Sequence, residues 1–178
     1  MKIIQLPNKK LRKVSVEVKL PLNEEDEKIV KMMIEHIDQS QQPDATTRPG
    51  IGIAAIQMGF LKRMFYVNVP SSDINEPLRD FLINPQIISE SISKTALSGG
   101  EGCLSVNERD DEEGLVHRQF KIMIKGYSYF AKQEVQYTKA GMLAIVLQHE
   151  MDHLNGKLYI DRIDYHNRWK ALKNEEII

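Results

Sequence analysis

The sequence predicts an α+β fold, a single domain of mainly antiparallel strands packed around one buried helix. Three observations lead there. Met142, Leu143, Ile145, Val146, Leu147, Met151 and Leu154 lie nearly all round a helical wheel, and a helix that is apolar on every side is a buried one. Ile29, Val30, Met33 and Ile37 recur at helical spacing and give another helix a single apolar stripe. Between these segments lie short runs rich in β-branched and aromatic residues, separated by turn-forming ones.

In chain order, Asn23 is placed to cap a first helix running from about Glu24 to Gln41. Its first turn, Glu24-Glu25-Asp26, sets acids against the positive end of the helix dipole. The next stretch, to Pro49, holds two prolines and small polar residues and reads as a loop. Met64 to Val69 reads as a strand, and Phe81 to Ile83 as another that ends at Asn84-Pro85. Lys121 to Lys125 alternates strictly, as a half-buried strand does, with Glu134 to Tyr137 as its partner. The buried helix is expected from about Thr138 to Leu154, stopped by Asn155-Gly156. A last amphipathic helix is expected from Asp164 to about Glu175.

A chain of 178 residues with 42% hydrophobic residues suits one domain with a real core, residues 1–178. A net charge of -1 offers no broad basic field, which argues against sequence-specific nucleic acid binding. The lone cysteine, Cys103, excludes an intramolecular disulfide. The N-terminus has no sustained apolar run, and the longest apolar stretch, around Met142 to Leu147, is too short to span a bilayer. The expectation is a cytoplasmic protein with no membrane partner.

The buried helix contains Gln148-His149-Glu150-Met151-Asp152-His153. Two histidines four apart project from one helix face, and two imidazoles so placed can bind one metal ion, with Glu150 as a general base. A polar surface helix is the plain alternative, but the preceding two turns are almost wholly apolar, so the cluster points inward. Burying such groups without partners is costly, and a metal ion compensates. A hydrolytic site keeps three protein ligands. Tyr159 stands where one known extension of this motif would place a third histidine, and Glu175 or Glu176, about twenty residues on, sits in a charged tail. Cys103 is the better candidate, in the glycine-rich run Gly99 to Ser105, although a buried apolar thiol or a catalytic cysteine fits the same residue. Gly50 to Gln57 has two spaced glycines but neither the third glycine nor the preceding strand of a dinucleotide site; it reads as a cleft wall ending in a polar Gln57. His36, His117 and His166 read as surface or structural.

Taken together, Gly50 to Gln57, Glu101-Gly102-Cys103-Leu104-Ser105 and Gln148 to Gly156 resemble the three signature motifs of peptide deformylases, over nearly the whole chain and in the family's order. The resemblance implies a metal-dependent hydrolase that removes the N-formyl group from the N-terminal methionine of new polypeptides and releases formate. By the resemblance, Cys103, His149 and His153 bind the metal, and Glu150 activates water at the metal and returns the proton. Gln57 and the Leu104 N–H stabilise the oxyanion. The Gly52 and Gly102 backbones hold the peptide as an added strand, and Ile51, Glu101, Met142, Ile145 and Val146 line the methionine pocket. Arg118 is expected to pair with Glu101, and Asp152 to orient a ligand or pair with Arg118. The resemblance implies Fe(II) in the cell, while the Cys/His/His set suits zinc, nickel or cobalt as well. The implied partners are N-formylmethionyl nascent peptides; weak ribosome association, through the basic residues Arg168, Lys170 and Lys173, and a monomeric bacterial form are further expectations. Asn107 stands where many members have proline, and a solvated acidic loop, Glu108 to Glu113, follows; this and the long loop before Pro49 resemble the form in Gram-positive bacteria and their wall-less relatives.

Overall fold

The computed structural model describes residues 2–71, 77–107 and 112–178. Two helices are present among them, α1 (Glu24–Ser40) and α2 (Gly141–Leu154). The strands are β1 (Gly52–Ala54), β2 (Met64–Val69), β3 (Leu78–Glu90), β4 (Lys94–Ala96), β5 (Arg118–Gln119), β6 (Lys121–Ser128), β7 (Gln133–Ala140) and β8 (Glu176–Ile177). Five of them form an antiparallel sheet in the order β1-β2-β3-β6-β7, and β5-β4-β8 form a small second sheet in which β4 and β8 run parallel.

The large sheet lies between the helices. Successive side chains of a strand point to opposite faces, so Phe65, Val67 and Val69 of β2 join Leu143, Leu147 and Leu154 of α2, while Met64 and Tyr66 join Ile29, Val30, Met33 and Ile37 of α1. This explains why Met64 to Val69 is apolar at nearly every position rather than at alternate ones: both faces of β2 are covered. The apolar stripe of α1 rests on one face of the sheet and its charged face is left to water. A third, smaller cluster gathers Cys103, Val106, Val116, Leu158, Tyr159 and Ile163. No helix among the described residues is long and apolar enough to cross a membrane.

Three expectations need correction. The segment Asp164 to Glu175 forms turns rather than a helix. The Asp164 carboxylate accepts from the His166 N–H at 3.0 Å and from Asn167 Nδ2 at 3.2 Å, a local alternative to helical bonding. Farther on, Leu115 N–H donates to the Arg168 carbonyl and the chain ends as β8 beside β4. β3 does not stop at Asn84-Pro85 but continues to Glu90 through an irregularity. Asn84 takes φ 52 there, a conformation asparagine tolerates, and its side chain bonds both the N–H and the carbonyl of Val18 at 2.8 Å. Finally, Thr138 to Ala140 close β7, and Gly141, at φ 56, makes the break into α2. Residues 108–111 of the acidic loop fall outside the described residues.

The start of α1 is set by Asn23, whose side chain accepts the Asp26 N–H at 2.9 Å. Asn23→Ala is expected to lower the unfolding free energy by about 1 kcal/mol, read as a lower urea midpoint at unchanged slope.

Candidate metal centre

α2 is held by apolar contacts on most of its surface, and its remaining face carries His149, Glu150, Asp152 and His153. Cys103 approaches that face from the loop between β4 and β5. The loop can turn tightly because Gly100 sits at φ 76, where an added Cβ would meet the Gly114 carbonyl at 2.9 Å. Cys103 Sγ lies 3.3 Å from His153 Nε2, and His153 Nε2 lies 3.2 Å from His149 Nε2. One ligand atom from each of the three residues lies within 4.8 Å of the others. These short separations are close to the edges of a tetrahedron whose bonds to a central cation are about 2.0–2.3 Å, so the donor set fits a first-row metal ion.

The partners of the ligands support the same reading. Glu101 Oε2 lies 2.8 Å from His149 Nδ1. With that nitrogen as the donor, Nε2 presents its lone pair to Cys103 and His153. Glu101 is in turn gripped by Arg118, whose Nε and Nη2 donate to its two oxygens at 2.7 and 2.8 Å. The Arg118 Nη1 donates to Asp152, and Asp152 also accepts from Arg162. Arg118 is 1% exposed. A continuous series of charges therefore runs from Arg162 through Asp152, Arg118 and Glu101 to a ring nitrogen of His149.

This environment moves several ionisations. Burial opposes the charge on Glu101, but Arg118 and His149 outweigh it and hold the carboxyl at about 2. Burial likewise opposes a Cys103 thiolate, yet the two histidines hold the thiol well below its ordinary value, which favours the form that binds metal. Glu150 behaves oppositely: burial is the largest influence and pushes its carboxyl up to about 7. Its Oε2 is buried with no hydrogen-bond partner among the described residues, and its Oε1 faces Gly52, where a Cβ would stand only 2.4 Å away.

A cleft of about 700 Å³ opens onto this cluster. Ile51, Gly52, Gln57, Glu101, Gly102, Cys103, Leu104, Met142, Ile145, Val146, His149 and Glu150 all line it, and His153 sits behind them, 1% exposed. The Gln57 amide is oriented at both ends. Its Oε1 accepts the Ala54 N–H at 2.8 Å, which turns Nε2 toward Ser105 Oγ at 3.3 Å and Cys103 Sγ at 3.7 Å. Glu175, weighed above as a ligand, instead pairs with His117 Nδ1 at 2.7 Å. Tyr159 stacks on the His149 ring, centroids 6.2 Å apart. Sequence reasoning missed Arg48, Pro70 and Leu97 in the cleft and Arg162 behind it. None of these carries a local pattern; Ser105, buried against Gln57, at least lies within the cysteine motif.

Fold and site together define a class: single-domain α+β proteins with one HExxH metal site completed by a cysteine. The sequence matches the polypeptide deformylase family over residues 1–169, and the chain belongs to that family. Members of the family are metal-dependent enzymes that remove the formyl group from N-terminal methionine. The chain is 47% identical to a peptide deformylase of Mycoplasmopsis pulmonis, with 95% of this chain and 93% of that one covered. It is 44% identical to peptide deformylase 2 of Bacillus cereus, covering 90% and 88%. The crystal structure of peptide deformylase from Ehrlichia chaffeensis superposes with a TM-score of 0.77 at 31% identity, covering 94% of this chain and 90% of that one. Mollicute and Bacillus forms are thus among its relatives.

Arg118 bridges two buried carboxylates, so removing its charge takes a buried cationic partner from each, leaving Glu101 to His149 and Asp152 to Arg162. Arg118→Met is expected to lower stability by about 3–5 kcal/mol, measured by urea unfolding.

Proposed function

We propose that residues 1–178 form one catalytic domain that hydrolyses the N-formyl group of N-formylmethionyl nascent peptides and releases formate. The observation that carries this reading is the meeting, at one end of a largely apolar cleft, of three metal-ligand atoms and a buried carboxylate. Cys103, His149 and His153 would hold the metal, Fe(II) in the cell by family resemblance; zinc, nickel and cobalt suit the same donors. When bound, such an ion supplies Lewis acidity and makes water a stronger acid.

The chain's own groups do the rest. Glu150, with its carboxyl raised to about 7 by burial, is suited to take the proton of the attacking water and return it to the leaving amine. Gln57 Nε2 and the Leu104 N–H meet the oxyanion that forms as the formyl carbon becomes tetrahedral. β1 is an edge strand of the large sheet, so the Gly52 backbone can bond a peptide added beside it, with Gly102 on the other side. Ile51, Met142, Ile145 and Val146 receive the methionine side chain, and the paired, buried Glu101 closes the wall behind them. This substrate belongs to the bacterial cytoplasm, where the chain would act as a monomer that meets nascent peptides near the ribosome.

Protein loaded anaerobically with Fe(II), or with nickel, is expected to release formate from a short formyl-Met peptide. Glu150→Gln should keep the metal and lose this activity, and Cys103→Ala should lose the metal, read by elemental analysis. A folded, metal-loaded protein that releases no formate, or that cuts internal peptide bonds instead, would sink the proposal. Gln57→Leu is expected to lower kcat roughly 100- to 1000-fold. Gly52→Ala pushes a methyl group into Glu150, and steady-state kinetics should show kcat about a hundredfold lower with metal content unchanged.

A further inference from the structure

The Leu104 N–H shares a peptide unit with the Cys103 carbonyl. A trans peptide is planar, and its N–H and C=O point in opposite directions. Whatever binds the Cys103 oxygen therefore acts on the far end of the dipole whose near end is the Leu104 N–H. Two donors do so. The Val106 N–H closes a local turn on that oxygen at 3.2 Å. The second comes from another element: Arg48 Nη1 donates to it at 3.3 Å from across the cleft mouth.

Arg48 stands in the loop between α1 and β1, at a point where the backbone is tied down. Pro49 disfavours helical conformations for the residue before it. One residue further on, the Gly50 N–H donates to Ser40 Oγ at 3.1 Å. Gln41 Nε2 donates to the Gly50 carbonyl at 2.9 Å and to the Asn68 carbonyl at 2.8 Å. The last turn of α1 thus anchors the base from which the guanidinium reaches the cysteine loop. On the other side of that loop, Leu6 N–H donates to the Ser105 carbonyl at 3.0 Å and Gln5 Nε2 to the Leu104 carbonyl at 3.4 Å. The peptides after Leu104 are held by the N-terminal segment, and the one before it receives a positive charge from Arg48.

We propose that Arg48 is a positioning residue for the reaction: by bonding the Cys103 carbonyl it aims the Leu104 N–H at the oxyanion and strengthens it as a donor. A charge-assisted bond at one end of a peptide polarises the other end. The effect is on the transition state, where the oxyanion carries its charge, and not on the bound peptide, so it appears in kcat. This proposal rests on the deformylase reading above.

The test compares the parent protein with Arg48→Leu and Arg48→Lys, nickel-loaded for kinetics and zinc-loaded and 15N-labelled for NMR. Arg48→Leu is expected to lower kcat about tenfold, less than loss of a direct oxyanion donor, with KM and metal content unchanged. Arg48→Lys should recover most of the rate. The 15N resonance of Leu104, which senses bonding to the preceding carbonyl, should move upfield in Arg48→Leu and return toward the parent position in Arg48→Lys. A raised KM at unchanged kcat would make Arg48 a substrate contact and overturn the proposal, as would unchanged kinetics in a parent that releases formate. An unmoved Leu104 resonance overturns it whatever the rate does. A parent that releases no formate defeats the functional reading first, and this proposal with it.

Discussion

The site depends on one buried arginine. Arg118 lies almost wholly out of water between Glu101 and Asp152, and each carboxylate has a second partner, His149 for one and Arg162 for the other. A guanidinium suits this place because its planar fork donates in two directions at once and never loses its charge. Through Glu101 it fixes the ring of His149, and through Asp152 it fixes the turn of α2 that carries His153. It also ties the cysteine loop to α2, because Glu101 is two residues before Cys103. The candidate ligands come from two distant parts of the chain, Cys103 from the loop and the histidine pair from α2, and this ion network holds the loop in register with the helix.

The sheet supplies the other constraint. α2 can carry a polar cluster in the interior because its remaining surface is packed on β2, β3 and β6. Burial of apolar area stabilises the helix, and the polar face is then satisfied by its own partners rather than by water. The same packing presses β1 against α2, leaving Gly52 no room for a side chain beside Glu150. Desolvation of Glu150 follows, and with it a carboxyl that titrates near neutrality rather than in the usual acidic range. Packing, electrostatics and the chemistry proposed for this glutamate are therefore one arrangement described at three levels.

Much of this was legible in the residues. The cap and acidic first turn of α1, the β-rich run of β2, the alternation of β6 and the all-round apolarity of α2 are local patterns with local physical causes. The histidine pair is legible for the same reason, since a spacing of four places two side chains on one helix face. The last segment misled because Asp164 to Glu175 has helical periodicity. Its Asp164 side chain bonds nearby donors, and its end is captured by β4, a partner more than seventy residues away. β3 outran its apparent stop because Asn84 turns the backbone within the strand instead of ending it.

The sequence by itself determined the secondary elements with strong periodicity, the layered α+β class and, through three short motifs, the residues available for chemistry. It favoured Cys103 over Glu175 or Glu176 as the third group beside the two histidines. Only the tertiary structure shows the spacing, with Cys103 Sγ beside the histidine nitrogens and Glu175 engaged by His117. Tertiary structure alone also decided that Asp152 bridges two arginines, and that Arg48 reaches the cysteine loop. The reason is range. Helix and strand patterns follow from neighbours along the chain, whereas a hydrogen bond or ion pair between residues fifty positions apart depends on how the whole chain packs.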